Sequence, residues 1–167
     1  MTESQRRPVP RDDGGELDTA LAFLGFARES LLKKTEGLGE ADLRRVLVPT
    51  GTTLLGLVQH MARGERYWFG YHLAGTEPDR DWDEGDFGMH VPADRTPADV
   101  VADYRAAIAD SDAVVATIGD PEALTALPVD HQRQTLRWVL AHVTSETVRH
   151  AGHADILREL IDGVTGR

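Results

Sequence analysis

Cysteine is absent from this chain of 167 residues. Disulfides, thiolate-ligated zinc and a thiol nucleophile carried by the protein are therefore excluded. Any sulfur chemistry would have to bring its thiol as a substrate. Long apolar runs are missing too. None approaches the roughly 18 residues that a membrane helix requires, and the opening MTESQRRPVPRDDGG carries no apolar stretch of the kind that marks a secretory leader. A cytoplasmic protein with no membrane partner is expected. Positive charge is scarce: 18 Lys and Arg against 28 Asp and Glu leave a formal net charge of -10. That argues against nucleic acid as a partner, because phosphate binding needs a basic patch. No convincing strand pattern, internal repeat or heptad run is visible. What remains is 41% hydrophobic and 28% charged, a composition that folds rather than stays disordered. The length suits one domain.

Organisation follows from apolar spacing and its interruptions. Residues 1–14 are polar and read as a flexible tail, which leaves 15–167 as a single domain. A first helix is expected from Glu16 to Thr35, with Leu17, Leu21, Leu24, Phe26, Leu31 and Leu32 at helical spacing and Gly37 and Gly39 behind them. Residues 38–51 connect, in part as a short helix. Thr52 or Thr53 then caps a second helix reaching Leu73, with Leu54, Leu57, Met61 and Trp68 on its apolar side and His60 at the edge of that stripe. A stretch rich in Gly, Pro and Asp, 74–96, is punctuated by Trp82, Phe87 and Met89. It is long for a connection, and long connections are often functional. Pro97 opens a third helix to Ile118 that turns Val100, Tyr104, Ala107, Ile108 and Val115 inward. After a loop over 119–133, a fourth helix runs from Gln134 to Ile161 and stops at Gly163. Four long helices joined by long connections predict an all-α four-helix bundle that permits crossover topology.

The fourth helix carries the chemistry. On a wheel of 100° per residue, Val139, Val143, Leu157 and Ile161 fall within about 20° of His150, and Glu146 lies about 40° away. Arg137, Ser145, Asp155 and Glu159 occupy the opposite side. Glu146 and His150 are thus expected to point at the core, where an unpaired carboxylate and imidazole are costly. An i,i+4 pair can converge on one ion, and inward Glu and His side chains build metal sites in other bundles. His60 is the best third ligand; His72, at a helix end, and His90, in a loop, are less well placed. The plain alternative is a Glu–His hydrogen bond or salt bridge within one helix. His153 reads as a fourth ligand, as a hydrogen-bond partner of a ligand or as a general base, the second being preferred, and His142 as a boundary residue. Trp68, Trp138 and the aromatic run Tyr67, Trp68, Phe69 and Tyr71 read as packing. Arg63, Arg66 and Arg149 read as solvated, with Arg149 near enough to the His stripe to hold an anionic substrate.

Two segments, GTTLLGLVQHMARGERYWF at 51–69 and TLRWVLAHVTSETVRHAGHADILRELIDG at 135–163, together resemble the DinB/YfiT-like superfamily, in its actinobacterial branch of mycothiol-dependent enzymes. The resemblance implies a crossover four-helix bundle with a divalent metal held by three side chains. Many members use a His on the second helix and a His-x-x-x-His pair on the last. His60 matches the first of these and His150 the last, while Glu146 stands in the middle position. The mycothiol-dependent maleylpyruvate isomerase makes the same substitution. His150-Ala-Gly-His153 stands where many relatives have His-Arg-Gly-Gln, so His153 need not be a ligand. The second, C-terminal domain of that isomerase has no counterpart here, and isomerisation of maleylpyruvate is not expected. The resemblance also suggests a homodimer.

These readings converge on a divalent-metal-dependent thiol S-transferase. Zinc is the leading metal, with nickel, iron, cobalt and manganese compatible with the same donors. A low-molecular-weight thiol of the mycothiol type is the co-substrate and a small electrophile the substrate. A metal-dependent hydrolase on the same residues and a non-catalytic metal-binding or structural bundle are the alternatives.

Overall fold

The computed structural model describes residues 8–11, 14–77 and 87–165. Most of the expected N-terminal tail, and Trp82, lie outside the described residues. Among the described residues the chain is helical: α1 (Glu16–Lys33), the short α2 (Glu40–Leu43), α3 (Leu54–Glu65), a π-helical continuation of α3 (Arg66–Ala74), α4 (Pro97–Ile118) and α5 (Leu136–Asp162). Among the described residues, extended pairing is limited to isolated bridges in the connection before α5, Leu124 to Thr135 and Val129 to Gln132. No described helix is long and apolar enough to cross a membrane.

The ends form for local reasons. The Thr53 hydroxyl accepts from the Gly56 N–H at the start of α3. Thr96 and Asp99 close a reciprocal capping box with Pro97 in the first turn of α4, and Thr135 accepts from the Trp138 N–H on α5. Each such cap satisfies a backbone donor that a helix start leaves open. Gly119 and Gly163 terminate α4 and α5 in the left-handed conformation.

Ion pairs show the direction of packing. Arg137 at the start of α5 pairs with Glu16 at the start of α1. Lys34, just past α1, pairs with Asp155 at 2.5 Å near the other end of α5, so α1 and α5 run parallel. Gln59 of α3 meets Arg95, and Arg66 meets Asp103 of α4, so α3 and α4 also run parallel. His60 lies against His150 and Trp68 against His142, so α3 runs against α5. The bundle is therefore up-down-down-up, with crossover topology as expected.

The apolar core is divided. One cluster gathers Leu31, Leu54, Leu55, Leu57, Val58, Met61, Val100, Tyr104 and Leu157. The other gathers Leu24, Phe69, Leu73, Val115, Leu136, Val139, Leu140 and Val143. Each fully buried aliphatic side chain contributes about 1.5–3 kcal/mol by leaving water. Between the clusters in chain order, on three helices at once, stand Arg28, Glu65 and Ser111 with Asp112. Arg28 and Glu65 are 3% and 0% exposed. Arg28 grips Glu65 through Nε to Oε1 (2.8 Å) and through its terminal nitrogen to Oε2 (2.7 Å), and donates to Asp112 at 2.7 Å. A guanidinium fork matches a carboxylate in this way and a lysine would not.

Two expectations need correction. The second helix is not α-helical throughout. From Arg66 it widens to a π-helix, which brings Tyr67 and His72, five residues apart, to a ring separation of 4.5 Å. Tyr67, Trp68, Tyr71 and His72 pack on one another in this widened register, while Phe69 turns into the core beneath Arg28. Arg66 is not free in solvent either. It is half-buried and bonds Asp103 at 2.5 Å, where Arg95 also binds at 2.7 Å.

Candidate functional site at the α3–α5 seam

His60 and His150 meet edge to face across the seam between α3 and α5, with ring centroids 4.7 Å apart. His150 is 6% exposed, and neither of its ring nitrogens has a hydrogen-bond partner. Burial, with His60, Arg149 and His153 nearby, pulls its pKa down to about 4. His150 is therefore a neutral imidazole at ordinary pH, with a lone pair and an N–H both unused.

His60 is placed differently. Its Nδ1 lies 2.7 Å from the Phe87 carbonyl oxygen. A carbonyl only accepts, so Nδ1 carries a proton, and in the neutral ring the lone pair is then on Nε2. The Phe87 carbonyl is presented by backbone in the left-handed region (φ 51), unusual for a bulky residue, with the ring exposed.

Glu146 requires a correction. It is not a core residue: its side chain is 28% exposed, and its Oε2 bonds Arg149 at 2.5 Å. The same oxygen is 3.7 Å from Nε2 of His150. The 40° offset from His150 puts it at the rim of the seam rather than inside, and the exposed guanidinium of Arg149 draws it outward. His153 is exposed, with its ring 5.4 Å from that of His150. One seam thus holds His60, Glu146, His150 and His153, with Arg149 on its outer edge. Among the described residues no group of three or more His, Asp or Glu side chains is arranged to hold a metal ion.

The other histidines belong elsewhere. His142 stacks on Trp138 at 4.9 Å and meets Trp68 at 4.3 Å. His72 is buried among Tyr67, Trp68 and Tyr71. Sequence reasoning passed over Gln59 and the backbone of 87–90, which abut His60. A signal for Gln59 existed, since it is a polar residue four positions after buried Leu55. The return of the 74–96 connection onto α3 had none.

Residues 19–163 match the model of the Mycothiol-S-transferase family. The chain belongs to that family. Among curated proteins none matches it. The span matched to the mycothiol-S-transferase family takes in His60, Glu146, Arg149, His150 and His153, together with the backbone carbonyl that holds His60.

Proposed function

We propose that this mycothiol-S-transferase family member joins a low-molecular-weight thiol, of the mycothiol type, to a small electrophile at the His60–His150 seam. We further propose that His60, Glu146 and His150 hold a divalent metal there, with zinc the leading candidate. The observation that carries the reading is His150: a buried imidazole with two unpartnered nitrogens, edge-on to a second imidazole whose own lone pair is left open. Orphaned buried polar groups are rare in native proteins and ask for a partner. Two imidazoles and a carboxylate suit zinc, and nickel, iron, cobalt or manganese as well. Two donors bound to one tetrahedral ion at ~2.1 Å lie about 3.4 Å apart, close to the 3.7 Å between Glu146 and His150. Glu146 would have to exchange Arg149 for the ion, a change on an exposed side chain.

When bound, the ion supplies positive charge that favours thiolate over thiol and so makes the nucleophile. The protein's own groups do the rest. Phe87 holds His60 in one orientation. Burial keeps His150 neutral and available as a donor. Arg149, released from Glu146, offers a cation to an anionic part of either substrate. A ring nitrogen of His153, at the solvent edge, takes the proton that leaves the thiol and passes it to water or to the leaving atom. A carbon–sulfur bond forms, and either the electrophile's carbon–oxygen or carbon–halogen bond breaks, or its activated double bond is saturated, the neighbouring carbon taking up a proton.

The test is metal content by mass spectrometry on untagged protein beside a Glu146→Ala/His150→Ala double variant, followed by conjugation of a generic electrophile with and without thiol. Near-stoichiometric metal lost in the variant, with conjugation that needs both thiol and His60, supports the reading. Absence of metal in both proteins after incubation with zinc or nickel overturns the metal assignment. In that case the Arg149–Glu146 bond would mark the seam as a structural polar stripe. Ester or amide turnover without thiol would instead make it a hydrolase.

A further inference from the structure

Gln59 is 0% exposed, and both the nitrogen and the oxygen of its amide are hydrogen-bonded. Its nitrogen donates to the carbonyls of Gly88 (2.7 Å) and His90 (2.8 Å), and its oxygen accepts from Arg95 at 3.0 Å. Two acceptors on one side and a guanidinium donor on the other leave no ambiguity about which way the amide faces. The backbone so gripped lies hard against α3. A Cβ at Gly56 would collide with the Met89 carbonyl oxygen, and a Cβ at Gly88, whose φ is +82, would stand 2.5 Å from Cδ of Arg63. Arg44 ties down the far side through the carbonyls of Val91 (3.1 Å) and Arg95 (2.5 Å). The residue next to this clamped backbone is Phe87, whose carbonyl meets His60.

We propose that Gln59 is a positioning residue: by clamping 88–90 onto α3 it holds the Phe87 carbonyl against His60 and fixes that imidazole as its Nδ1–H tautomer, with the lone pair on Nε2. A histidine free of such a bond would favour the opposite tautomer, which puts a proton where a donor lone pair is wanted. Outer hydrogen bonds of this kind set which nitrogen of a ligating histidine is available. The value of the lone pair as a metal donor rests on the proposed function; the tautomer itself does not.

The test reads the tautomer directly, by long-range proton–nitrogen NMR of metal-free protein at mildly alkaline pH, with His60 assigned by loss of its signals in His60→Gln. The wild type is expected in the Nδ1–H form. Gln59→Glu, which cannot donate to the two carbonyls, is expected to shift His60 mostly to Nε2–H. Gly56→Ala, which pushes Met89 away while leaving Gln59 and His60 intact, is expected to do the same, and it stands in if Gln59→Glu does not fold. Thr135→Ala, a lost cap on α5 remote from the clamp, controls for general destabilisation and should leave the tautomer alone. Zinc affinity of both clamp variants should fall by about 10–100-fold. His60 remaining Nδ1–H in both clamp variants, or found as Nε2–H in the wild type, overturns the proposal. A tautomer shift in a protein that takes up no zinc upholds the positioning and removes the metal assignment alone.

Discussion

Two of the places where polar side chains are buried in this bundle are completed to different degrees. In the layer formed by Arg28, Glu65 and Asp112, both carboxylate oxygens of Glu65 are matched to one guanidinium, which also reaches Asp112. At the α3–α5 seam, His150 is nearly as buried and bonds nothing. Burial alone therefore does not mark a functional group in this protein. Unmet hydrogen-bonding capacity narrows the choice without deciding it, since His72 is also buried with both ring nitrogens unpartnered; what sets His150 apart is a second imidazole, His60, edge-on to it. A matched network has nothing left to offer a ligand and serves the architecture, whereas an unmatched imidazole keeps its donor capacity at a standing cost in stability.

The comparison breaks most sharply at Glu65. Glu65→Leu is expected to destabilise by about 3–5 kcal/mol, because it leaves a buried guanidinium short of its main partner. The double variant Arg28→Leu/Glu65→Leu should recover part of that loss. Urea denaturation measures both, and a single variant as stable as the wild type would deny the layer its architectural role. His150→Leu should act in the other direction. In metal-free protein it is expected to raise stability by about 1–2 kcal/mol, since no bond is lost and an unsatisfied group is removed, while zinc uptake disappears. A clear loss of stability would mean that His150 has partners after all.

His72 allows a finer comparison within the fold. Burial holds its imidazole below the ordinary value, against the opposing pull of the Leu127 and Pro128 backbone and of Asp130. The folded protein therefore binds the proton less readily than the unfolded chain. The stability this represents is fully present above about pH 6.5 and is lost as pH falls from there through the folded value. Denaturation midpoints of wild type and His72→Phe, compared at about pH 8 and about pH 5 on either side of the imidazole value, should show a shallower decline in the variant. Equal slopes would remove His72 as a source of acid sensitivity. The smallest effect belongs to Arg149→Ala. Freeing Glu146 from an exposed pair should tighten zinc binding a few-fold and leave the urea midpoint unchanged, because such pairs add little to stability. Weaker zinc binding would mean that Arg149 helps to place the carboxylate.

Much of the scaffold was legible because it depends on local signals. Thr53, Thr96, Pro97 and Gly163 mark helix ends through chemistry within a turn of themselves, and the observed ends fall within a few residues of those expected. His60 and His150 could be paired because each sits on or beside an apolar stripe. Glu146 was misplaced because a wheel gives direction but not depth, and 40° separates core from rim. Arg28 and Glu65 went unnoticed although they obey the rule that drew attention to His150: Arg28 lies four residues from both Leu24 and Leu32, and Glu65 four from Met61. The π-helix was illegible because the spacing of apolar residues in RYWFGYHLA does not reveal how its rings crowd until neighbouring helices confine them. The clamp at Gln59 depends on where a long connection comes to rest, which no short-range pattern encodes.

The parallel course of α3 and α4 has a consequence for how the chain is routed. The 21 residues from Leu54 to Ala74 carry the chain about 30 Å down the bundle. Met89 is already back against Gly56 near the start of α3, and Arg95 stands beside Gln59 just before α4 opens, so the chain regains most of that distance between the two helices. A tight up-down turn would end where it began and never revisit His60. Here the retracing strand of chain passes the histidine on its way home, and an itinerary imposed by topology becomes the means of bringing a carbonyl to an imidazole.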